Sequence, residues 1–369
     1  MQFALYVKNL IFPAFLTDTD KINCSFFLEQ CMIIHIKTSG GHLVELFDSL
    51  RFKIVRRGIK IVFPEATDAR ILGAAARLKA EELVEPILVG NEEEIRNAAH
   101  ARGIKTSSFT IISPDNYDKW DEMVDTFVER RNGKASKEQA EKILKDVNYF
   151  GTMLTYMGIA DGMVSGAIHS TGDTVRPALQ IIKTKPGISR TSGAMIMVRG
   201  RDQEKYVFSD CAINVNPTAQ ELAEIAVDSA KTAELFDIEP KVAMMSFSTK
   251  GSAKSPEVDK VVEATKIAKK LAPQYMIDGE LQFDASYVPS VAQLKAPDSE
   301  VAGQATVFVF PELQSGNIGY KIAQRFGNFE AIGPILQGLN KPVSDLSRGA
   351  NEEDVYKLSI ITAAQTLID

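Results

Sequence analysis

The sequence predicts an α/β protein of two domains, in which parallel or mixed sheets carry helices on both faces. Three observations lead to this prediction. From residue 59 onward, short runs rich in β-branched residues alternate with helical patterns. The chain has 369 residues, of which 45% are hydrophobic, so it can bury more than one large core. A stretch rich in Gly, Pro and Ser, residues 185–193, interrupts the alternation and indicates a domain boundary.

The first predicted domain opens with a strand, a helix and a second strand. IKIVFPE precedes TDARILGAAARLKAEEL, where Thr67 or Asp68 caps a helix with apolar residues at helical spacing, and EPILVG follows. EEEIRNAAHARG, FTIISP, two further helical stretches and the apolar strand DGMVSG continue the pattern. This alternation predicts a parallel sheet with helices on both faces.

The second predicted domain opens with two strands, GAMIMVRG and EKYVFSDCAI, joined by a polar turn as in a hairpin. Alternating helices and strands resume after them. IGPILQGLNKP then links a helix to the last loop of the chain. We therefore predict a first domain of residues 43–186 plus 335–369, a second domain of residues 187–334, and a cleft between them.

Residues 1–42 differ from the rest and are predicted to be a separate extension. ALYVKNLIFPAFL is apolar, but Lys8 and Pro13 interrupt it, and the run is too short to span a bilayer. It has neither a basic start nor a small-residue cleavage site. We interpret the segment as an accessory extension or as the result of a translation start assigned too far upstream. A secretion signal is the second alternative.

Charge and cysteine content restrict the class of partner. The net charge of -6 argues against a broad nucleic-acid surface, so an anionic ligand has to meet a local cluster of cations. Three cysteines, at positions 24, 31 and 211, do not make a disulfide framework and favour a reducing cytoplasm. We expect small-molecule substrates and no membrane, metal or nucleic-acid partner.

The last loop, KPVSDLSRGANEED, combines features of an anion site with features of a helix cap. Ser347 and Arg348 offer a hydroxyl and a guanidinium just before a helix, where backbone N–H groups are also free. Asn351 and Asp354 have the spacing of a capping box, and acids in a first turn favour the helix dipole. Both the structural and the catalytic interpretation are open at this point.

Two other segments place polar residues at the ends of predicted strands, where open α/β sheets bind ligands. In SGAIHSTGDTVRP the candidates for substrate binding are Ser165, His169, Ser170, Thr171, Thr174 and Arg176. In FPELQSGNIGYKIAQRFG, a Gly-Asn loop is predicted to precede a helix, and the candidates are Asn317, Lys321 and Arg325. The alternatives are a capped helix in the first segment and solvated cations in the second. P-loop, dinucleotide and nucleophile-elbow motifs are missing from the sequence.

Taken together, these motifs resemble the phosphate acetyltransferase (phosphotransacetylase) family. The resemblance runs from about Leu43 to the C-terminus, and residues 1–42 lie outside it. It is carried by FPEATDARILGAA, DGMVSGAIHSTGDTVRPALQIIKTKPG, DCAINVNPTAQELAEIA, DGELQFDA, FPELQSGNIGYKIAQR and GPILQGLNKPVSDLSRG. The resemblance implies reversible acetyl transfer between CoA and phosphate, without metal or prosthetic group. It also implies a fold related to isocitrate and isopropylmalate dehydrogenases, an interdomain site and a homodimer.

The resemblance also implies roles for individual residues. The catalytic Ser, Arg and Asp of the family fall on Ser347, Arg348 and Asp354. Its substrate-binding arginines correspond to Arg325, Arg176 and Arg130. VERRNGKAS departs from the usual order of Lys and Gly, so Arg131 remains an alternative to Arg130.

Elementary chemistry suggests how such residues act. Arg348 would stabilise anionic oxygen or sulfur, Ser347 would hydrogen-bond the acyl oxygen, and direct transfer in a ternary complex is favoured. Asp354 is predicted to be the base for the thiol, which requires burial because an ordinary Asp is a weak base; otherwise it orients the thiol. A covalent intermediate on Cys211 is the competing mechanism.

Three other functions remain as alternatives. One is a butyryl-preferring acyltransferase, which differs only in the volume of its acyl pocket. Another is a metal- and NAD-dependent oxidoreductase, whose carboxylate cluster would have to come from Asp278, Glu280 and Asp284. The third is a sensor that binds acetyl phosphate or CoA without turnover.

Overall fold

The computed structural model describes residues 46–200 and 204–368, which contain two β-sheets. The first sheet is parallel and has the strand order β11-β4-β1-β2-β3. Its strands are β1 (Lys60–Phe63), β2 (Glu85–Val89), β3 (Thr110–Ile112), β4 (Gly162–Ser165) and β11 (Val343–Asp345). The predicted parallel sheet and its βαβ units are therefore confirmed.

The second sheet is mixed, with the strand order β10-β5-β6-β9-β7-β8. Its strands are β5 (Ser192–Arg199), β6 (Glu204–Ser209), β7 (Lys241–Met245), β8 (Met276–Leu281), β9 (Val307–Val309) and β10 (Glu330–Gln337). β5 and β6 pair antiparallel, as the predicted hairpin requires. The strands that follow β6 along the sheet are parallel to it and to one another.

Helices cover both sheets. They are α1 (Leu46–Ile54), α2 (Ala69–Ala80), α3 (Glu92–His100), α4 (Trp120–Arg131), α5 (Lys137–Ile143), α6 (Val147–Tyr156), α7 (Thr171–Pro177), α8 (Ala219–Leu235), α9 (Pro256–Leu271), α10 (Phe283–Tyr287), α11 (Pro289–Lys295), α12 (Leu313–Phe326) and α13 (Glu352–Gln365). A π-helical turn, Ala178–Ile182, continues α7. None of these helices is long and apolar enough to cross a membrane.

The first sheet is buried on both faces, as the side-chain alternation of β1 shows. Ile61 and Phe63 belong to one hydrophobic core with Val355 of α13, whereas Val62 belongs to another with Phe150 of α6. Successive side chains of a strand point to opposite faces, so a continuous apolar run can fill both cores. The packing fixes the carboxyl ends of β1, β4 and β11 along one edge.

The chain crosses from the first sheet to the second and back through two adjacent segments. Thr184 and Leu339 form an antiparallel bridge between these segments. Their junction borders a cleft of ≈ 910 Å³ at the amino ends of β1 and β4. Ser347, Arg348 and Asp354 do not line this cleft, which lies at the opposite edge of the first sheet from them.

One predicted element is wrong. The sequence assigned residues 332–342 to a link, but β10 occupies Glu330–Gln337 and pairs antiparallel with β5. The register shifts between Ile332 and Ile335, where Gly333 and Pro334 interrupt the ladder. Pro is tolerated at such an irregularity on an edge strand. Pro334 therefore indicated a loop in the sequence although these residues form a strand.

Asp228 of α8 is buried beside the second crossover and makes stability depend on pH. Burial raises its pKa to about 6, although Lys231 and Lys185 lie close enough to oppose the effect and Glu224 adds to it. The unfolded carboxyl titrates near its ordinary value of 3.8. The protonated form is therefore favoured by folding, and its contribution to stability is complete below pH 4 and is lost as pH rises through about 6.

We expect Asp228→Asn to remove this loss. The difference in unfolding free energy between variant and wild type should grow by about 3 kcal/mol, in favour of the variant, between pH 4 and pH 7.5, because one pKa unit corresponds to about 1.4 kcal/mol. Urea unfolding at several pH values measures it. Asp298→Asn, at an exposed carboxylate, is the control. A difference that stays constant with pH would contradict the assignment.

Candidate active site

Three loops meet at the carboxyl edge of the first sheet because β1, β4 and β11 are neighbours in it. The loops comprise residues 64–68 after β1, 166–170 after β4 and 346–351 after β11. Asp345 pairs with Ser165, and Leu346 N donates to Ser165 O at 2.7 Å. This edge is where open α/β sheets bind ligands. The topology therefore gathers the predicted segments of residues 165–177 and 341–354.

Glu65 holds the loop after β4. Its carboxylate is fully buried and accepts the backbone N–H groups of Gly166, Ala167, Ile168 and His169 at 2.7–3.0 Å. It also lies 2.7 Å from His169 Nδ1. Sequence reasoning missed this residue, and the only signal was an acid two residues after an apolar strand.

Arg70 joins all three loops and was also missed. Its guanidinium forms an ion pair with Asp68, donates to Ala167 O at 2.8 Å, and donates to the carbonyls of Arg348 and Ala350 at 3.0 and 2.8 Å. A planar guanidinium with several donors suits this arrangement. The backbone around Ser347 is thus fixed by a residue 278 positions earlier in the sequence.

Gly166 allows the β4 and β11 loops to touch. Its φ is +108°, and a Cβ at this position would lie 2.7 Å from both N and O of Leu346. Only glycine adopts that conformation and leaves that space without strain. The loop carrying Ser347 therefore packs directly against the loop carrying His169.

Ser347 and Arg348 are exposed on this fixed backbone. Ser347 Oγ accepts the N–H of Gly349 at 3.2 Å, which leaves its own hydrogen available. Within residues 46–200 and 204–368, the Arg348 guanidinium has no hydrogen-bond or ion-pair partner. The two side chains can therefore meet an anionic oxygen without first breaking an internal contact.

Asp354 serves as the reciprocal partner in a capping box. Asn351 N donates to Asp354 Oδ2 at 2.9 Å, and Asp354 N donates to Asn351 Oδ1 at 3.0 Å. The predicted cap is confirmed. The side chain is exposed, so the burial that the sequence analysis required of a base at this position is missing in this structure. The neighbouring Glu352 and Glu353 form ion pairs with Arg102, in the turn after α3, and with Arg77 of α2.

The hydroxyls after β4 divide into buried and exposed groups. Ser165 is fully buried and donates to Asn148 Oδ1 at 2.7 Å, and Thr174 is fully buried as well. Substrate contacts predicted for these two are corrected to structural roles, because they have no surface for a ligand. Ser170 is exposed and caps α7 in a capping box with Asp173. Thr171 and Arg176 are exposed on the same helix.

Asn317, Lys321 and Arg325 lie on α12, beside the second sheet. The helix begins at Leu313, so Gly316 and Asn317 are inside it and the predicted Gly-Asn loop is wrong. Asn317 Nδ2 donates to Cys211 O, and Lys321 Nζ donates to Asn317 Oδ1. Among the residues that the structure describes, no hydrogen bond or ion pair connects these three to the loop of Ser347.

Arg130 is committed to the backbone. Its Nε and Nη2 donate to the carbonyls of Ile181 and Ile182 at 2.6 and 2.9 Å, and its guanidinium lies 4.8 Å from the centre of the Tyr156 ring. These bonds close the carboxyl end of the π-helical turn. Arg130 therefore has a structural role here, and its substrate contact, with Arg131 as the alternative, stays a prediction.

Comparison with known proteins identifies the family. The family model described as phosphate acetyl/butaryl transferase matches residues 46–363. The chain belongs to this family. It is 61% identical over 325 residues to a phosphate acetyltransferase of Bacillus subtilis (strain 168), a match that covers 88% of the chain and all of the relative.

Solved structures of phosphotransacetylases from two other bacteria agree with this membership. A phosphotransacetylase from Streptococcus pyogenes has a TM-score of 0.86 and 66% identity over 88% of this chain and 98% of its own. The EutD phosphotransacetylase from Staphylococcus aureus has a TM-score of 0.83 and 56% identity over 87% and 98%. The resemblance to this family that the sequence motifs indicated is thus confirmed. The predicted extension of residues 1–42 lies outside the residues that the structure describes.

The carboxylates considered for a dehydrogenase-type metal site are engaged elsewhere in this member of the family. Asp278 accepts from Lys250, Lys269 and Ser299; Glu280 accepts from Ser248 and Gly251; and Asp284 pairs with Lys295. In the parts of the chain that the structure covers, no group of three or more His, Cys, Asp or Glu residues is arranged to hold a metal ion.

Cys211 is buried two residues after β6, and burial raises the pKa of its thiol far above the ordinary value. A thiol that remains protonated is a poor nucleophile. We expect Cys211→Ala to keep kcat within about threefold of wild type, because the residue makes no contact in a direct transfer. Mass spectrometry after incubation with acetyl phosphate should detect no acetylated Cys211. A stable adduct, or loss of activity without loss of fold, would contradict this.

Proposed function

We propose that the chain is a phosphate acetyltransferase, which converts acetyl-CoA and phosphate reversibly into CoA and acetyl phosphate. The observation that carries the proposal is the exposed Ser347 and Arg348 pair, presented on a loop that Arg70 ties to two other strand ends. The names of the relatives point to the same reaction. The substrates are small molecules, and no metal or prosthetic group takes part.

The transfer requires stabilisation of a tetrahedral oxyanion and of a phosphate. Arg348 supplies a permanent positive charge with several N–H donors, which suits both. Ser347 donates its free hydroxyl hydrogen to the acyl oxygen. We expect Thr171 and Arg176, which follow the neighbouring loop, to help hold the phosphate, and Arg325 and Lys321 to bind substrate from the side of the second sheet. Attack occurs directly in a ternary complex, where alignment of two substrates is worth about 7 to 11 kcal/mol.

A coupled test settles the reaction class and the acyl preference. Arsenate-dependent breakdown of acetyl-, propionyl- and butyryl-CoA is measured side by side, together with thioester formation from acetyl phosphate and CoA. Acetyl substrates should react fastest, and the activity should survive a chelator and need no nicotinamide. Faster turnover of butyryl substrates would replace the proposal by a butyryltransferase. Binding of CoA without any turnover would replace it by a sensor.

We further propose that the protein acts as a homodimer in the cytoplasm. Ile318, Ile322 and Phe326 are spaced by four residues on α12, so they lie on one face of the helix, and all three are more than half exposed. Phe326 is 87% exposed. A contiguous apolar stripe of this kind marks a surface that another chain covers, and a second copy is the occupant that the implied dimer supplies.

Replacing this stripe should dissociate the dimer. We expect the double variant Ile322→Asp and Phe326→Asp to elute as a monomer with an unchanged circular dichroism spectrum, measured by size exclusion with light scattering. Leu294→Asp, at an equally exposed residue of α11, is the control and should remain dimeric. A dimeric double variant would show that the copies meet elsewhere.

A further inference from the structure

The cleft of ≈ 910 Å³ beside the two crossovers is not used by the acetyl transfer proposed above. Its wall includes residues of α8 and β10 on the side of the second sheet, and residues just before β1, β4 and β11 on the side of the first. This crossover cleft has the volume of a small-molecule site. Ser347, Arg348 and Asp354 lie at the opposite edge of the first sheet, so a ligand here is distinct from the acyl donor and acceptor.

Asp228 of α8 presents an unpaired carboxylate to the crossover cleft. Its side chain is only 9% exposed, and Lys231 Nζ lies 4.0 Å from its Oδ1, beyond hydrogen-bond distance. Burial raises its pKa to about 6, an effect that Lys231 and Lys185 oppose and Glu224 increases, so the carboxyl is ionised at pH 7.5. A buried charge without a hydrogen bond is costly, and a ligand with N–H donors removes that cost.

The wall also holds more cations than acids. In the ranges that the structure describes, the side chains of Arg57 and Lys341 have neither a hydrogen-bond nor an ion-pair partner. Asp161, also in the wall, already accepts the N–H of Lys60 at 2.8 Å. The crossover cleft therefore offers charged donors to an anionic group in addition to the free acceptor at Asp228.

Apolar side chains are the third feature of the wall. They include Ile59, Leu336, Leu339 and Pro342. Apolar surface with a few polar groups is typical of sites that hold the ring of a small molecule. A ligand that fits the crossover cleft thus combines a planar ring, N–H donors for a carboxylate and an anionic group. A nucleoside phosphate has all three.

We propose that the crossover cleft binds a guanine nucleotide, whose base donates to Asp228 and whose phosphates meet Lys341 and Arg57. In the described residues neither oxygen of Asp228 accepts a hydrogen bond, so the carboxylate can accept two parallel N–H groups. Guanine presents two such groups side by side, N1–H and N2–H. Adenine and cytosine present one amino group beside a ring acceptor, which repels a carboxylate, and uracil presents one N–H between two carbonyls.

Titration calorimetry of the full chain at pH 7.5, without acetyl substrates, tests the proposal. We expect one molecule of GTP to bind per chain. ATP and tripolyphosphate should each bind at least about tenfold more weakly, because neither supplies the paired donors to Asp228. Absence of GTP binding, or equal affinity for GTP and either of the other two, would overturn the proposal.

The variant Asp228→Asn tests the recognition of the base. It should fold, because it removes an unpaired buried charge, and it should bind GTP about 10- to 100-fold more weakly than wild type. It should also prefer XTP to GTP, because the amide donates an N–H to the C2 carbonyl of xanthine. Asp298→Asn, at an exposed carboxylate, is the control and should bind GTP as wild type does. Unchanged GTP affinity in Asp228→Asn would contradict the assignment.

The variant Lys341→Gln tests the phosphate end of the site. We expect its affinity for GTP to fall about tenfold, whereas its affinity for guanosine, which has no phosphate, should not change. Lys270→Gln, at an exposed lysine of α9, is the control. Wild-type affinity for GTP in Lys341→Gln would overturn the proposal, even if Asp228→Asn fails to fold.

Two measurements distinguish this inference from the proposed acetyl transfer. Asp228→Asn should keep the wild-type kcat for acetyl transfer, and Arg348→Ala should keep the wild-type affinity for GTP. Loss of GTP binding in Arg348→Ala would place the nucleotide at the active site and overturn the inference. Wild-type protein that binds GTP as expected but transfers no acetyl group would support the crossover cleft and overturn only the proposed function.

Discussion

Replacing Arg348 by alanine should lower kcat/KM for acetyl transfer on the order of 10² to 10³, which is the usual cost of losing one donor to a developing oxyanion. The loss of oxyanion stabilisation should appear in kcat, because that charge develops fully only in the transition state, and the loss of phosphate binding should appear in KM. The melting temperature should not change. In the described residues the side chain has no internal partner, and the bond to Arg70 uses only the backbone carbonyl of residue 348.

A lysine variant and a remote control sharpen this prediction. Arg348→Lys keeps the charge but not the fork of N–H donors, so its activity should lie between those of wild type and the alanine variant. Arg57→Ala removes an exposed arginine from the opposite edge of the first sheet and should be neutral. Wild-type kcat/KM in Arg348→Ala would remove this residue from the mechanism.

Replacing Arg70 by methionine should lower both stability and activity. The change leaves three carbonyls, those of Ala167, Arg348 and Ala350, without their donor, and it leaves Asp68 without its ion pair. Bonds to charged groups contribute about 1.5 to 3 kcal/mol each but are not additive, so we expect a loss of about 3 kcal/mol in unfolding free energy. Displacement of the Ser347 loop should also reduce kcat/KM by about 10².

The two effects can be separated by temperature. Activity measured well below the melting temperature of the Arg70→Met variant reports on loop position, and urea unfolding reports on stability. Arg96→Met, which removes an exposed ion pair with Glu92 on α3, is the control and should cost less than about 0.5 kcal/mol. Full activity in a folded Arg70→Met variant would show that other contacts hold the loop of Ser347.

The Arg348 and Arg70 variants separate two roles that charged side chains have in these loops. The charged side chains of Glu65 and Arg70 form hydrogen bonds with backbone groups of neighbouring loops. Glu65 is fully buried and Arg70 is mostly buried. Ser347 and Arg348 are exposed and keep their donors available for a ligand. The backbone that carries the reactive side chains is thereby fixed during folding, before substrate binds, as a preorganised site requires.

Much of the local structure could be predicted from the sequence because short-range interactions determine it. The capping box of Asn351 and Asp354 spans three residues, and the hairpin of β5 and β6 follows from two apolar runs around a polar turn. The prediction from local sequence was wrong at β10, where Gly333 and Pro334 were interpreted as part of a loop. It was also wrong at Gly316 and Asn317, which were predicted to form a loop but lie inside α12. In both places the surrounding packing overrides the local propensity.

The sequence by itself determined the α/β class, the family and the identity of the exposed pair Ser347 and Arg348, since these depend on periodicity and on contiguous motifs. Only the tertiary structure decided which polar residues support that pair. Glu65 meets His169 across 104 positions, and Arg70 meets the carbonyl of Arg348 across 278. No pattern in the chain encodes such distances directly. They are set by the order of parallel strands, which brings the ends of β1, β4 and β11 to one edge.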